Sequence, residues 1–176
     1  MVEAFAQRIA TYIKSIDPEH TASVDVLKYG LIICLNFLST LFCTLAVGMV
    51  LGKTLDVIYG IIAFMVLRAF SGGFHFKSPI LCTISTTLIV VVASVSALPM
   101  HWSIILNGIS IILVLLFAPS RIERQSNIPR RFYPYLKMIS FGIVASNFII
   151  QSDILTMIFF VQSVTLILPL ERRWAI

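Results

Sequence analysis

From Ser78 to Ser120 the chain runs 43 residues without a single Asp, Glu, Lys or Arg. A hydrocarbon core ~30 Å thick takes ~20 apolar residues at ~1.5 Å rise each, so the run is long enough for two helical crossings joined by a tight reversal. Pro99-Met100-His101-Trp102 supplies the turn, and Trp102 fits the aromatic belt at a membrane interface. The composition agrees. Of the 176 residues, 59% are hydrophobic and 12% charged, with a mean hydropathy of +0.98. A soluble domain carries about 25% charged residues.

The other apolar stretches complete the pattern. Tyr29–Gly52 is uncharged for 24 residues. Thr54–Leu67 is shorter and carries Asp56 near its start, so it crosses only if Lys53 and Arg68 snorkel or the bilayer thins. Met138–Leu170 is interrupted by Asp153 and reads as two short spans turning at Gln151-Ser152-Asp153, with one long tilted helix plus a re-entrant piece as the competitor. The expected fold is therefore all-α: a polytopic integral membrane protein of about six transmembrane helices, near 29–52, 54–70, 79–99, 102–119, 138–152 and 154–170. It forms one membrane-embedded domain over residues 1–176.

Residues 1–27 form an amphipathic N-terminal segment. Within it Phe5, Ile9, Tyr12, Ile13 and Ile16 share one face of a helix over Val2–Ile16, which Asp17-Pro18 ends. Such a helix lies in the membrane interface or packs on the other helices. It lacks the basic start and apolar core of a cleavable signal.

Charge fixes the orientation. With the N-terminus cytoplasmic, every Lys and Arg except Lys53 falls in an inside segment, and both termini are cytoplasmic. Positively charged loops resist translocation, which also accounts for the net charge of +5 without nucleic acid. A four-span arrangement would leave long uncharged stretches unexplained.

Chemistry concentrates in the polar segment 68–79, on the cytoplasmic side between the second and third spans. Ser78-Pro79 looks like a helix start, since serine is a preferred N-cap and proline is favoured at the first position. Cys82 then falls in or beside the first turn, where the helix dipole favours an anion and a thiol becomes a better nucleophile. His75 is the obvious proton acceptor and donor for it. In one continuous helix, residues seven apart are separated by ~10.5 Å along the axis. A direct contact therefore needs 71–78 to be a loop. Gly72-Gly73 gives that loop its freedom, and its N–H groups are candidate oxyanion donors. Residue chemistry alone leaves the alternative open: a buried hydrophobic cysteine and a solvated loop histidine. Cys34 and Cys43 read as buried hydrophobes of that kind, and His20 and His101 as solvated loop histidines. Three cysteines without a CxxC pair make a disulfide framework or zinc site a poor reading, and no metal or cofactor is expected.

The pattern Arg68-x-x-x-Gly72-Gly73-x-His75-x-x-x-x-x-x-Cys82 between membrane spans resembles the AgrB family (accessory gene regulator protein B). The resemblance extends to size, span number and a basic loop between spans four and five. These are bacterial cell-membrane endopeptidases that process an AgrD-type precursor of a cyclic quorum-sensing peptide. The resemblance implies that Cys82 is the nucleophile and His75 its base, acting at the cytoplasmic face. Cys82 attacks a peptide bond of the precursor after an acidic residue, and His75 protonates the leaving amine. The resulting thioester keeps the acyl energy for attack by a precursor Cys or Ser, which closes a thiolactone or lactone. Arg68 and Lys77 would meet carboxylates at the scissile end. Arg121, Arg124, Arg130 and Arg131 of the basic loop would attract an acidic precursor tail; otherwise these cations only set topology. No acidic third member is evident to orient His75.

Two other classes compete. A peptide exporter would need a buried ionisable pathway, whereas Asp56 and Asp153 lie near span ends. A non-catalytic scaffold would tolerate loss of Cys82. Besides the precursor and the bilayer, a second copy is a candidate partner, with Gly30, Ser39, Gly48 and Ser94 as small contact residues.

Overall fold

Long runs of Leu, Ile, Val and Phe without internal proline can satisfy their backbone inside hydrocarbon only as helices. The structure is a computed structural model that describes residues 2–74, 76, 78–120 and 129–167, and these are helical with no strand among them. Seven helices follow in order: α1 (Val2–Ile16), α2 (Val24–Val50), α3 (Thr54–Ser71), α4 (Pro79–Val95), α5 (Met100–Phe117), α6 (Tyr133–Ile150) and α7 (Asp153–Val164). A 3-10 turn, Arg130–Phe132, leads into α6.

Among the described residues, four helical segments are long and apolar enough to cross a membrane: Val24–Val50, Thr54–Ser71, Met100–Phe117 and Arg130–Ile150. Pro79–Val95 and Asp153–Val164 are shorter. Their 17 and 12 residues correspond to ~26 Å and ~18 Å of helix, less than the ~30 Å core. Large apolar side chains dominate the outside, among them Phe42, Val50, Leu55 and Ile149, as expected where the surroundings are acyl chains. Thr44, Ser110, Ser140, Asn147 and Gln162 are buried.

Two boundaries differ from the sequence expectation. The reversal after α4 is Ser96–Pro99, not 99–102, because Pro99 precedes the first turn of α5 and its carbonyl accepts from Trp102 N–H at 2.9 Å. His101 accordingly lies on α5, although still exposed. The last helix stops at Val164 instead of running towards 170. Between α6 and α7 the expected break is present. Gln151 takes the left-handed conformation (φ 55°), and the Ser152 hydroxyl caps α7 by accepting from Leu155 N–H. The chain therefore breaks into two helices here, the first long enough to span and the second, of 12 residues, shorter.

The chain divides into two compact units, 1–43 with 76–87 and 44–75 with 88–176. In the first, α1 buries Ala6 and Ala10 and leaves Phe5, Tyr12 and Ile16 exposed. The small residues pack, and the large apolar ones stay available to a membrane surface. The start of α4 is held to α2 by polar side chains. Thr83 Oγ1 donates to Asn36 Oδ1 at 3.1 Å, and Thr40 Oγ1 lies 3.1 Å from Thr83 Oγ1.

In the second unit α3 and α5 each pack on α6 and α7. Val57, Ile61, Phe64 and Leu67 recur at helical spacing along the buried face of α3. Helices α3, α5 and α7 are parallel. Ser103 near the start of α5 meets Asp153 at the start of α7, while the ends of all three converge. Asn107 Nδ2 donates to the Val144 carbonyl, and Asn147 Nδ2 to Thr156 Oγ1 at 2.8 Å, tying α5 to α6 and α6 to α7. Two of the four small residues expected between copies are used within the chain. Ser94 is buried, and a side chain at Gly48 would come within 3.1 Å of Val57.

Candidate active site

The last turn of α3 carries Arg68, and the helix is ended by two glycines that no other residue replaces easily. Gly72 has φ 71° and Gly73 φ 123°, a region that L side chains rarely adopt. At Gly73 a Cβ would also lie 2.8 Å from Thr165 Oγ1 and 3.2 Å from Gln162 Nε2. The glycine pair lets the chain turn sharply while lying flat on the end of α7.

Segment 71–74 is a strap stitched on both sides. Ser120 N–H donates to the Ser71 carbonyl and Gly73 N–H to the Ser120 carbonyl, both at 2.9 Å. On the other side Phe74 N–H donates to the Thr165 carbonyl at 3.3 Å. The Thr165 carbonyl, one residue beyond the helix, is available to the strap because residue 169, its donor in a continued helix, is a proline without an N–H.

Gln162 is the centre of the arrangement. It is fully buried, with its Nε2 donating to the Gly72 carbonyl at 2.8 Å and to Ser71 Oγ at 3.2 Å. Its Oε1 accepts from Arg68 Nη1 at 3.1 Å. Arg68 Nη2 donates to the Phe74 carbonyl, and the guanidinium stands over the Phe64 ring, 5.5 Å from its centre. The charge is thus tied to both ends of the strap and to α7. Arg68, a candidate substrate contact in the sequence, is placed with its fork on Gln162 and on the strap.

The glycine amides are likewise committed. Gly72 N–H donates to the Arg68 carbonyl and Gly73 N–H to Ser120.

Cys82 belongs to the first unit. Helix α4 begins at Pro79, so Cys82 stands in its first turn, and its N–H donates to the Ser78 carbonyl at 3.2 Å. The thiol-bearing residue is half-buried, and its carbonyl accepts from Ser85 Oγ at 3.1 Å. The next residue, Thr83, makes the bonds to Asn36 and Thr40 that anchor this turn. Cys34 and Cys43, expected to be buried, are exposed on α2, whose surface is almost entirely outward. An apolar helix facing lipid leaves even a small hydrophobe on the outside.

Of the remaining candidates, Arg130 and Arg131 are exposed in the 3-10 turn, with Arg131 over the Phe132 ring at 4.9 Å. His75, Lys77, Arg121 and Arg124 lie outside the described residues. Among the described residues no group of His, Cys, Asp or Glu could hold a metal ion.

Gln162, Asn36 and Thr83 were missed in the sequence. Their signal was there, since a Gln or Asn inside an apolar run is expensive unless it is bonded to the bundle interior. Nothing local tells which partner it finds.

Comparison with known proteins gives the same family from the whole chain. Residues 6–171 match the family described as Accessory gene regulator B. An AgrB-like protein of Halalkalibacterium halodurans is 34% identical over 110 residues. That alignment covers 62% of this chain and 56% of the relative, so little more than half of the relative's length is matched. No solved structure matches. With a family match over residues 6–171 of its 176, the chain belongs to the accessory gene regulator B family.

Proposed function

We propose that the protein is a cysteine endopeptidase of the bacterial cell membrane that processes an AgrD-like precursor into a cyclic quorum-sensing peptide. The observation that carries the reading is the position of Cys82 in the first turn of α4, a few residues beyond the strap, in a chain of this family. The unpaired N–H groups of a helix start favour a negative charge, which is the state a thiol needs for attack.

The thiolate of Cys82 attacks the scissile carbonyl of the precursor. His75 gives its proton to the leaving amine, and the C-terminal tail departs. The acyl group stays on Cys82 as a thioester until a Cys or Ser of the precursor attacks it. The Cys82–acyl bond then breaks and the ring closes. Hydrolysis would waste the acyl energy, and an apolar site at the membrane surface limits it. Arg68, through Gln162, keeps the strap in place next to His75 in the sequence. Lys77 and the basic residues Arg121, Arg124, Arg130 and Arg131 draw in the acidic tail. In this reading the chain crosses the membrane six times, with both termini and the site in the cytoplasm.

The test is co-expression with the candidate precursor and mass spectrometry of the peptides. Wild type yields a shortened precursor, while Cys82→Ala and His75→Ala, inserted to the same level, do not. A peptide adduct on Cys82 identifies the thioester. Undiminished processing by Cys82→Ala refutes the assignment and brings a transport or scaffold role forward.

A further inference from the structure

At the other end of the second unit, a cleft of ≈ 450 Å³ opens between the starts of α5 and α7 and the end of α6. It is separated from the strap by the length of α5, ~27 Å for its 18 residues. Leu98, Ile104 and Phe148 give it an apolar wall, and Asn107, Gln151 and Asp153 reach it from the polar side.

Most polar groups around the cleft are satisfied by the chain itself. Asn147 donates to the Ser152 carbonyl and Thr156 Oγ1 and accepts from Ser152 N–H. Ser103 Oγ donates to Asp153 Oδ1 at 3.0 Å, and Leu98 N–H to Asp153 Oδ2 at 3.1 Å. Asn107 is the exception. It is 2% exposed, its Nδ2 donates to the Val144 carbonyl at 3.3 Å, and its Oδ1 has no donor. The amide cannot be turned to cure this, since its oxygen would then face the Val144 carbonyl. An acceptor left unmet in an apolar bundle is costly, and such groups mark binding sites.

What remains in the cleft is acceptor capacity and negative charge. The Asp153 carboxylate holds one hydrogen bond on each oxygen and has lone pairs to spare. The complementary ligand brings N–H donors and positive charge next to an apolar group, and the volume is that of small-ligand sites. We infer that this cleft is a second binding site, taking a primary ammonium group with an adjacent apolar side chain through Asn107 Oδ1 and Asp153. A small organic amine and the amino terminus of a short peptide share that chemistry.

Calorimetry on the full-length protein in detergent micelles tests it, with phenethylammonium, Leu-Phe amide and N-acetyl-Leu-Phe amide as probes. The site predicts that an amine-bearing probe binds and that acetylation weakens the peptide by about tenfold or more, the loss of a charge-assisted hydrogen bond. Binding by phenethylammonium alone assigns small amines, and binding by the free peptide alone assigns peptide amino termini. Asn107→Leu and Asp153→Asn each weaken binding by about tenfold. Asn107→Leu does so with thermal stability close to wild type, because the unmet acceptor it removes offsets the lost bond to the Val144 carbonyl. Should one variant fail to fold, the other decides. Equal binding of the acetylated peptide, no heat from either amine at millimolar concentration, or undiminished binding by a folded variant overturns the inference.

Discussion

Replacing Gln162 by Met keeps the side-chain length and volume and removes every polar contact at the centre of the strap. Three principal bonds are lost, two donated to the Gly72 carbonyl at 2.8 Å and Ser71 Oγ at 3.2 Å and one accepted from Arg68 at 3.1 Å, and the longer contact from Thr165 Oγ1 at 3.4 Å goes with them. Side-chain hydrogen bonds in membrane bundles average ~0.6 kcal/mol with a maximum of ~1.7, and bonds to a charged group lie at the upper end. The three together come to about 2–3 kcal/mol, including the Gly72 carbonyl left buried. For a chain of this size that lowers the midpoint of thermal unfolding in detergent by roughly 5–10 °C. Because the strap immediately precedes His75, precursor cleavage per folded molecule falls by about tenfold, the equivalent of ~1.4 kcal/mol in the barrier. Gln162→Glu separates the parts. It restores the Arg68 partner but cannot donate to Ser71 or Gly72, so it recovers part of the stability and leaves the strap loose. A midpoint within 2 °C of wild type, measured by intrinsic fluorescence and equivalent to under ~1 kcal/mol, together with unchanged cleavage would refute the claim that Gln162 positions this segment.

Gly73→Ala adds a Cβ 2.8 Å from Thr165 Oγ1 at φ 123° and should cost about 1–3 kcal/mol, seen as a lower unfolding midpoint with cleavage impaired at least as much as in Gln162→Met. The double variant Cys34→Ser, Cys43→Ser removes two thiols exposed on α2. Cleavage should persist, with alkylation by a membrane-permeant maleimide reduced to Cys82 alone. In the turn after α1, Asp17 accepts from the backbone and ring of His20, which holds its carboxyl below the ordinary 3.8. The ionised form is the one stabilised. The turn therefore keeps that contribution above the ordinary value and loses it as pH falls through the depressed one. Carboxyl NMR should show Asp17 titrating below 3.8 and moving back towards it in His20→Ala.

Much of the architecture was legible because a membrane simplifies the rules. The helices α2, α3 and α5 are apolar runs with charged or proline-bearing ends, and Ser78-Pro79 announced α4. The break at Gln151-Ser152 was readable from three polar residues in an apolar stretch. The early end of α7 has a local signal too, since Pro169 lacks the N–H that the Thr165 carbonyl would need for the helix to continue. What stayed hidden is the use made of the freed Thr165 carbonyl, which accepts from Phe74, a residue 91 positions earlier.

The sequence by itself determined that this chain lives in a membrane as helices, and it marked Arg68, the glycine pair and Cys82 as a group, because uncharged length, proline and glycine act locally. Only the tertiary structure decided what Arg68 and the glycine amides bond to within the chain. Arg68 and the glycine amides are spent on Gln162, Phe74 and Ser120 within the second unit. Hydrogen-bond partners drawn from helix ends far apart in sequence leave no periodic trace, so the use of a donor is settled only when the chain has packed.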